Sequence, residues 1–371
     1  MVRDLRRFDF LLLLGCLALV VYGLALIYSG SLARYGSGHA ALTHPVLKQA
    51  LFALAGLVLM VVLTQIDYRA WSNLAPLLYG VSLFALLVVM VVGARAFGSR
   101  RWFSIAGMQL QPSEVAKIVV IILLARYLSD DRTRAQTPRG IVATLALTAA
   151  PAGLVFLEPD LGTAVVFFCI WLGMLYVAGL RTRHLLTMAG LAIAAVPFVV
   201  LIGLTGYQKA RFQSFLDPGK DPLGAGFNIL QAQISIGSGG LFGKGLTHGP
   251  QTQLAFLRTQ TTDYIFSVLG EELGFIGAMV LFVLFLLVLF RILRAANRSQ
   301  DDFGRYIATG VAIMIATQAF INIGVNVRLF PVTGIPLPFI SQGGTSLLSM
   351  FAAIGLVQSI AVRKRANTLR G

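Results

Sequence analysis

The sequence predicts an all-α protein that crosses a membrane about ten times. Three observations lead there. Residues are 57% hydrophobic and only 12% charged, half the charged share of a soluble domain, and mean hydropathy is +0.80. Apolar runs of about 20 residues, enough to span a hydrocarbon core, recur along the whole chain. Lys and Arg gather on alternate connections, as the positive-inside rule requires.

The first run covers 9–29 and follows a basic start, MVRDLRR. No small-residue cleavage pattern stands at Tyr28-Ser29-Gly30, so it reads as a retained helix rather than a cleaved signal. Further spans are predicted over 46–66, 75–93, 112–128, 140–157, 162–180, 184–205, 264–291, 303–327 and 340–362. Interruptions such as Tyr176 and Pro197 are tolerable in such helices. Segment 112–128 departs most from the pattern, because it opens with Pro-Ser-Glu and contains Lys117. The chain reads as one transmembrane domain, 1–371, with a long segment, 206–262, between the seventh and eighth helices.

With the N-terminus inside, eighteen of the 30 basic residues fall on inner segments, eleven on outer ones, and Lys117 within a span. Both termini are then cytoplasmic, and the net charge of +15 is mostly topogenic rather than a nucleic-acid surface. The outer set includes Arg100, Arg101, Lys209, Arg211, Lys244, Arg258 and Arg328. Outer positive charge opposes the topology rule. Either an anionic ligand such as a phosphate rewards it, or it pairs with Asp160, Asp217, Asp221, Asp263 and lipid headgroups. Cys16 and Cys169 lie in apolar runs and indicate no disulfide framework. The histidines show no ligand spacing.

Five segments carry the chemistry-bearing residues. In Gln111-Pro-Ser-Glu-Val-Ala-Lys117, Pro112 suits the first helical position. Glu114 falls in the first turn, where the helix dipole favours an anion, and Lys117 lies on the same face. An ionisable pair inside a span is a functional-site candidate by default, the alternative being a structural ion pair. Arg100, Arg101 and Trp102 stand just before it. In Glu158-Pro-Asp-Leu-Gly-Thr163, Asp160 either caps the next helix or holds Lys117 or a divalent cation.

Segment 206–262 is too long for a simple connector. Between Gly-rich ends it carries Phe227–Ile236, a candidate surface helix. Its glycine run with Lys244 suggests phosphate cradling, although the P-loop spacing is absent. Asp263 stands at the mouth of the eighth span, as an N-cap or as a shielded carboxylate of raised pKa suited to general-base work. Below it, Ser267, Gly270, Gly274 and Gly277 share a face, which either admits another helix or leaves a cleft. Finally, Pro331–Ser346 holds three prolines and a Gly pair. That is irregular backbone of the kind tolerated at membrane depth only beside protein or a watery cavity. Ser341 offers a hydroxyl there.

Taken together and in order, GSRRWF (98–103), QPSEVAK (111–117), EPDLGT (158–163), DPLGAG (221–226), IGSGGLFGKG (236–245), TDYIFSVLGEELG (262–274) and PVTGIPLPFISQGG (331–344) resemble the SEDS family (shape, elongation, division and sporulation proteins), and most of all its elongation member. The resemblance covers nearly the whole chain. It implies a peptidoglycan glycosyltransferase of the bacterial cytoplasmic membrane that polymerises lipid II on the outer face. The implied partners are a class B penicillin-binding protein and the elongation machinery, among membrane lipids.

The resemblance also implies residue roles. Asp263 matches the family's essential acidic residue, the base for the acceptor sugar hydroxyl. Glu114, Lys117 and Asp160 match polar residues of its central cavity, and Arg101 with Trp102 its arginine–tryptophan motif. We assign Arg101, Lys117 and Arg211 to the pyrophosphate. Gln111, Lys244 and Ser341 complete the candidate substrate-binding set. The motifs indicate no organic cofactor. A divalent cation, Mg or Mn, would assist the diphosphate, though no metal-ligand cluster is present in the sequence. Two other readings stand beside this one: a lipid II flippase, since buried charges suit a transport pathway, and a non-catalytic scaffold.

Overall fold

The computed structural model describes residues 8–35, 44–96, 99–105, 108–198, 206–220, 224–257 and 259–363. The basic start at 1–7, Gly98, 199–205 of the seventh predicted span, Asp221, Arg258 and the basic tail from 364 onward lie outside the described residues.

Ten helices match the predicted spans. They are α1 (Phe10–Tyr35), α2 (Pro45–Gln65), α3 (Ala70–Val92), α4 (Pro112–Asp130), α5 (Pro138–Leu157), α6 (Leu161–Val177), α7 (Thr182–Phe198), α11 (Ile265–Asn297), α12 (Asp302–Asn326) and α13 (Gly344–Val362). Three shorter helices lie between α7 and α11: α8 (Gly206–Leu216), α9 (Ala225–Gly239) and α10 (Pro250–Gln253). Seven described helices are long and apolar enough to cross a membrane by length and composition. Of the remaining three, α6 is apolar but short. Helix α7 is described over 17 residues, and α4 carries four charged residues.

Helix α4 is thus the least apolar of the ten and also among the most enclosed. Glu114 and Lys117 are buried with its apolar residues from Ile118 to Ala125. It packs against α3, α12, α6 and α5. The most apolar stretches of α12 and α13 are 72% and 78% buried, against 17% and 22% for α2 and α3. The polar-bearing helices therefore form the centre. The outer helices turn Leu54, Val58, Phe84 and Val91 outward, as lipid contact allows. Helix starts follow local chemistry. Pro112 and Pro138 occupy first-turn positions, and the Thr137 hydroxyl accepts the Gly140 N–H. Asp301 caps α12 by accepting the Gly304 N–H at 2.9 Å.

A three-stranded antiparallel sheet, in the order β1 (Ala94–Ala96), β2 (Ser99–Ile105), β3 (Met108–Leu110), joins α3 to α4. It places Arg101 on the central strand.

Helix α11 is broken at Gly274, where φ is +63°. The loop after α9 is stitched into the break. The Lys244 and Gly245 N–H groups donate to the freed carbonyls of Glu271 and Glu272 (both 3.0 Å). The Phe275 and Ile276 N–H groups donate back to Gly240 and Leu241 (2.9 and 3.0 Å). The helix thus loses internal bonds but leaves these groups satisfied. Close approach depends on glycine: a β-carbon on Gly239 would overlap the Gly270 carbonyl, and one on Gly274 would meet the Gly243 nitrogen at 2.3 Å. The small-residue face of α11 is therefore filled by α9 and its loop, and by Tyr22, whose hydroxyl donates to the Gly277 carbonyl at 3.0 Å. It leaves no cleft.

Candidate functional site

Arg101, buried on β2, donates from Nε to the Glu158 carbonyl (2.9 Å) and from Nη2 to the Pro159 carbonyl. Its Nη1 lies 3.6 Å from Asp160 Oδ2. Asp160 does two jobs. Oδ1 accepts the Thr163 N–H and caps α6 (3.2 Å), while Oδ2 faces Arg101 and accepts from Gln111 Nε2 (3.4 Å). The cap offered by the sequence is present, and the charge partner is Arg101 rather than Lys117. Lys117 instead binds Glu114 at 2.7 Å. Gln111 is the cap residue of α4 and donates its N–H to the Thr345 hydroxyl (3.3 Å). That hydroxyl in turn donates to the Gln109 carbonyl, so the sheet is tied to α13. Successive strand residues face opposite sides, so the pleat turns half-buried Trp102 away from the Arg101 face.

Asp263 lies in the turn before α11, where the N–H groups of Thr262, Asp263 and Tyr264 all converge on the Thr259 carbonyl. It is half-buried and does not cap the helix, which begins after Tyr264 with no side-chain cap. Burial pushes its carboxyl above the usual carboxylate range, against the lowering effect of Arg211, a Thr262 hydrogen bond and Arg101; Asp160 adds a small upward push. Arg211, on α8, donates to the Val332 carbonyl (3.3 Å). A β-carbon on Gly334 would stand 3.9 Å from Arg211 Nη1 and 4.0 Å from Asp263 Oδ2. The two charged side chains therefore flank that glycine, whose φ of +77° few other residues adopt.

The loop from Pro331 to Gly343 is held by side chains. Ser341 accepts the Leu337 N–H (2.8 Å) and donates to the Thr262 carbonyl (2.6 Å), next to Asp263. Its hydroxyl is engaged in fixing the Asp263 turn. Gln342 and Thr261 exchange two hydrogen bonds, each 2.8 Å. Gln49 on α2 brackets the loop between the Ser341 carbonyl and the Gly343 N–H (both 3.1 Å).

The structure thus brings Asp263, Arg211, Arg101, Asp160, Gln111 and Ser341 into one connected neighbourhood. Lys244 goes elsewhere. Its ammonium lies 3.9 Å from Glu271, a buried carboxylate that also accepts the Gln251 and Thr252 N–H groups and the Thr252 hydroxyl. The glycine-run amides that suggested a phosphate cradle are committed to α11. Among the described residues, no group of three or more His, Cys, Asp or Glu side chains is arranged to hold a metal ion.

A family model described as cell cycle protein, covering FtsW, RodA and SpoVE, matches residues 10–366. The chain belongs to this family.

Other SEDS proteins resemble it over almost their full lengths. The peptidoglycan glycosyltransferase MrdB of Escherichia coli (strain K12) is 38% identical over 363 residues, 98% of this chain and 95% of that protein. A chain solved in work on the coordination of polymerization and crosslinking by a peptidoglycan synthase complex superposes with a TM-score of 0.79 at 32% identity, covering 95% of this chain and 97% of that one. The crystal structure of the Thermus thermophilus rod shape determining protein RodA gives 0.71 at 30% identity, over 97% of this chain and 98% of that one.

Sequence reading missed three features of this SEDS site. Glu158 is buried, with Oε1 unpartnered among the described residues. Burial, reinforced by Asp160, pushes its carboxyl up to about 8. Asn322 and Asn326 on α12 reach the Asp263 main chain. Two amides spaced i, i+4 in an apolar helix were a legible signal, since polar groups at membrane depth are costly unless satisfied. Gln49 carried no such pattern.

Proposed function

We propose that this chain is a peptidoglycan glycosyltransferase that polymerises lipid II, with Asp263 as general base. The observation that carries the proposal is the pairing of Asp263, its carboxyl raised by burial, with Arg211 across Gly334, within the field of Arg101. The names of the relatives support the same reaction class.

In the proposed mechanism, the acceptor presents its GlcNAc 4-hydroxyl to Asp263, which takes the proton as the oxygen attacks the MurNAc anomeric carbon of the donor. The C–O bond to the undecaprenyl diphosphate breaks on the opposite face, so the α-linked donor inverts to a β-1,4 bond. Diphosphate is a good leaving group, and half-buried Arg211, with the field of buried Arg101 behind it, stabilises its charge. One base then suffices, unlike the carboxyl pair of glycosidases. An apolar cavity of about 360 Å³, lined by Leu59, Trp71, Leu78, Val115, Ile118 and Leu348, supports a substrate that is itself a lipid. It is the kind of surface a polyprenyl tail covers.

The N-terminus is proposed to be cytoplasmic, and 206–262 an extracytoplasmic segment. The site then faces outward, where the strands are crosslinked by a class B penicillin-binding protein. Purified protein carrying Asp263→Asn should fold and bind lipid II yet polymerise none. Polymerisation at the normal rate would remove Asp263 from the base role. Lipid II translocation in vesicles by that variant would favour a flippase, and rescue of cell shape by it a scaffold.

A further inference from the structure

Asp263 stands just before α11, whose cap residue is Tyr264, so its main-chain carbonyl has no partner within the helix. The Ser267 N–H is one of the first-turn donors that a helix leaves unpaired. Here it goes to the Tyr264 carbonyl (3.0 Å) and to Asn326 Oδ1 (3.1 Å). Two carboxamides of α12 take up the orphaned carbonyl: Asn326 Nδ2 at 2.9 Å and Asn322 Nδ2 at 3.2 Å. Both side chains are sealed in the bundle, at 1% and 2% exposed. They lie one turn apart, so they share a helix face.

Each asparagine also grips a second piece of the site. Asn326 Oδ1 accepts the Ser267 hydroxyl (2.7 Å), which fixes the first turn of α11. Asn322 Nδ2 reaches the Ile335 carbonyl (2.8 Å), beside Gly334. Asn326 Nδ2 closes the set on the Asn322 carbonyl (2.8 Å). One face of α12 therefore ties together residue 263, the start of α11 and the loop that Asp263 and Arg211 flank. The backbone of the acidic residue, just outside α11, is thus held by a neighbouring helix.

We propose that Asn322 and Asn326 are positioning residues for glycan polymerisation, holding the Asp263 carboxylate in register with Gly334 and Arg211. The proposal rests on the reading of Asp263 as the base. A displacement of the base by about 1 Å costs on the order of 100-fold in rate, so a loss of about 10- to 100-fold is expected on removing either amide.

The test measures polymerisation rate per lipid II bound, with purified protein and its penicillin-binding partner. Binding stoichiometry counts the folded sites, so a merely structural defect lowers the stoichiometry and leaves the rate per site unchanged. Asn326→Ala should keep lipid II affinity within about twofold while the rate per bound lipid falls about 10- to 100-fold. If Asn326→Ala does not fold, Asn322→Leu, which leaves both Ser267 bonds intact, serves the same test. A rate per bound lipid within twofold of the parent overturns the positioning role. Asp263→Asn is measured alongside. If it polymerises normally, the base reading itself fails. If it is inactive while the asparagine variants are normal, only the positioning role fails.

Discussion

Lys117 Nζ lies 2.7 Å from Glu114 Oε1, with the two side chains only 1% and 2% exposed. Glu114 Oε2 is buried and unpartnered among the described residues. Removing one member leaves an uncompensated buried charge, which typically costs about 3–5 kcal/mol. Lys117→Met should therefore lower the unfolding temperature sharply, and adding Glu114→Gln should restore most of it. Polymerisation should stay lost in the double variant if the cation serves the diphosphate. Thermal unfolding in detergent and a lipid II assay check the two halves separately. A double variant that regains activity would make the pair purely structural.

Arg101 spends its guanidinium on two carbonyls and on Asp160. A lysine cannot reproduce that fork. Arg101→Lys should retain charge but loosen the Glu158–Asp160 turn, raising the KM for lipid II by about tenfold, the effect of losing ~1.4 kcal/mol. An unchanged KM would show that charge alone is what matters at this position.

As the proposed base, Asp263 would act only when ionised, and burial raises its pKa. Protonated enzyme therefore persists to higher pH than for an ordinary carboxylate, and activity should rise with pH through that raised midpoint. Arg211 is the largest influence opposing the rise. Arg211→Gln should shift the acid limb of the pH–rate profile further upward. A downward shift, or none, would contradict the coupling of these two residues.

Gly274 joins two features, a φ of +63° and a nitrogen 2.3 Å from where a β-carbon would lie. Gly274→Ala should cost about 1–2 kcal/mol from the left-handed backbone alone, and more from overlap with the loop. The stitch between 240–245 and α11 should open, seen as faster proteolysis within 240–253. Activity should fall as the 206–262 segment, which carries Arg211, loses its anchor. Unchanged proteolysis would mean that the loop is held mainly by Glu271.

Much of this molecule is legible along the chain. Hydropathy runs located ten helices, with ends within six residues wherever the predicted end falls among the described residues, because a span's length and composition are local properties. Only 112–128 looked doubtful, since Glu114 and Lys117 dilute its apolar signal. Asp160 and Asp263 were recognisable as carboxylates beside span ends. Partner choice was not legible. Ser341 looked like a free donor and is committed to Thr262. Lys244 suggested phosphate and faces Glu271. The amides of the glycine run close the break in α11. By itself, then, the sequence determined a polytopic helical membrane protein and which residues bear charge near the helix ends. Tertiary packing alone decided which of those groups meet Asp263. Hydrogen bonds and ion pairs act over about 3–4 Å, and contacts that short between residues as far apart as Asp263 and Asn326 exist only once the helices are packed.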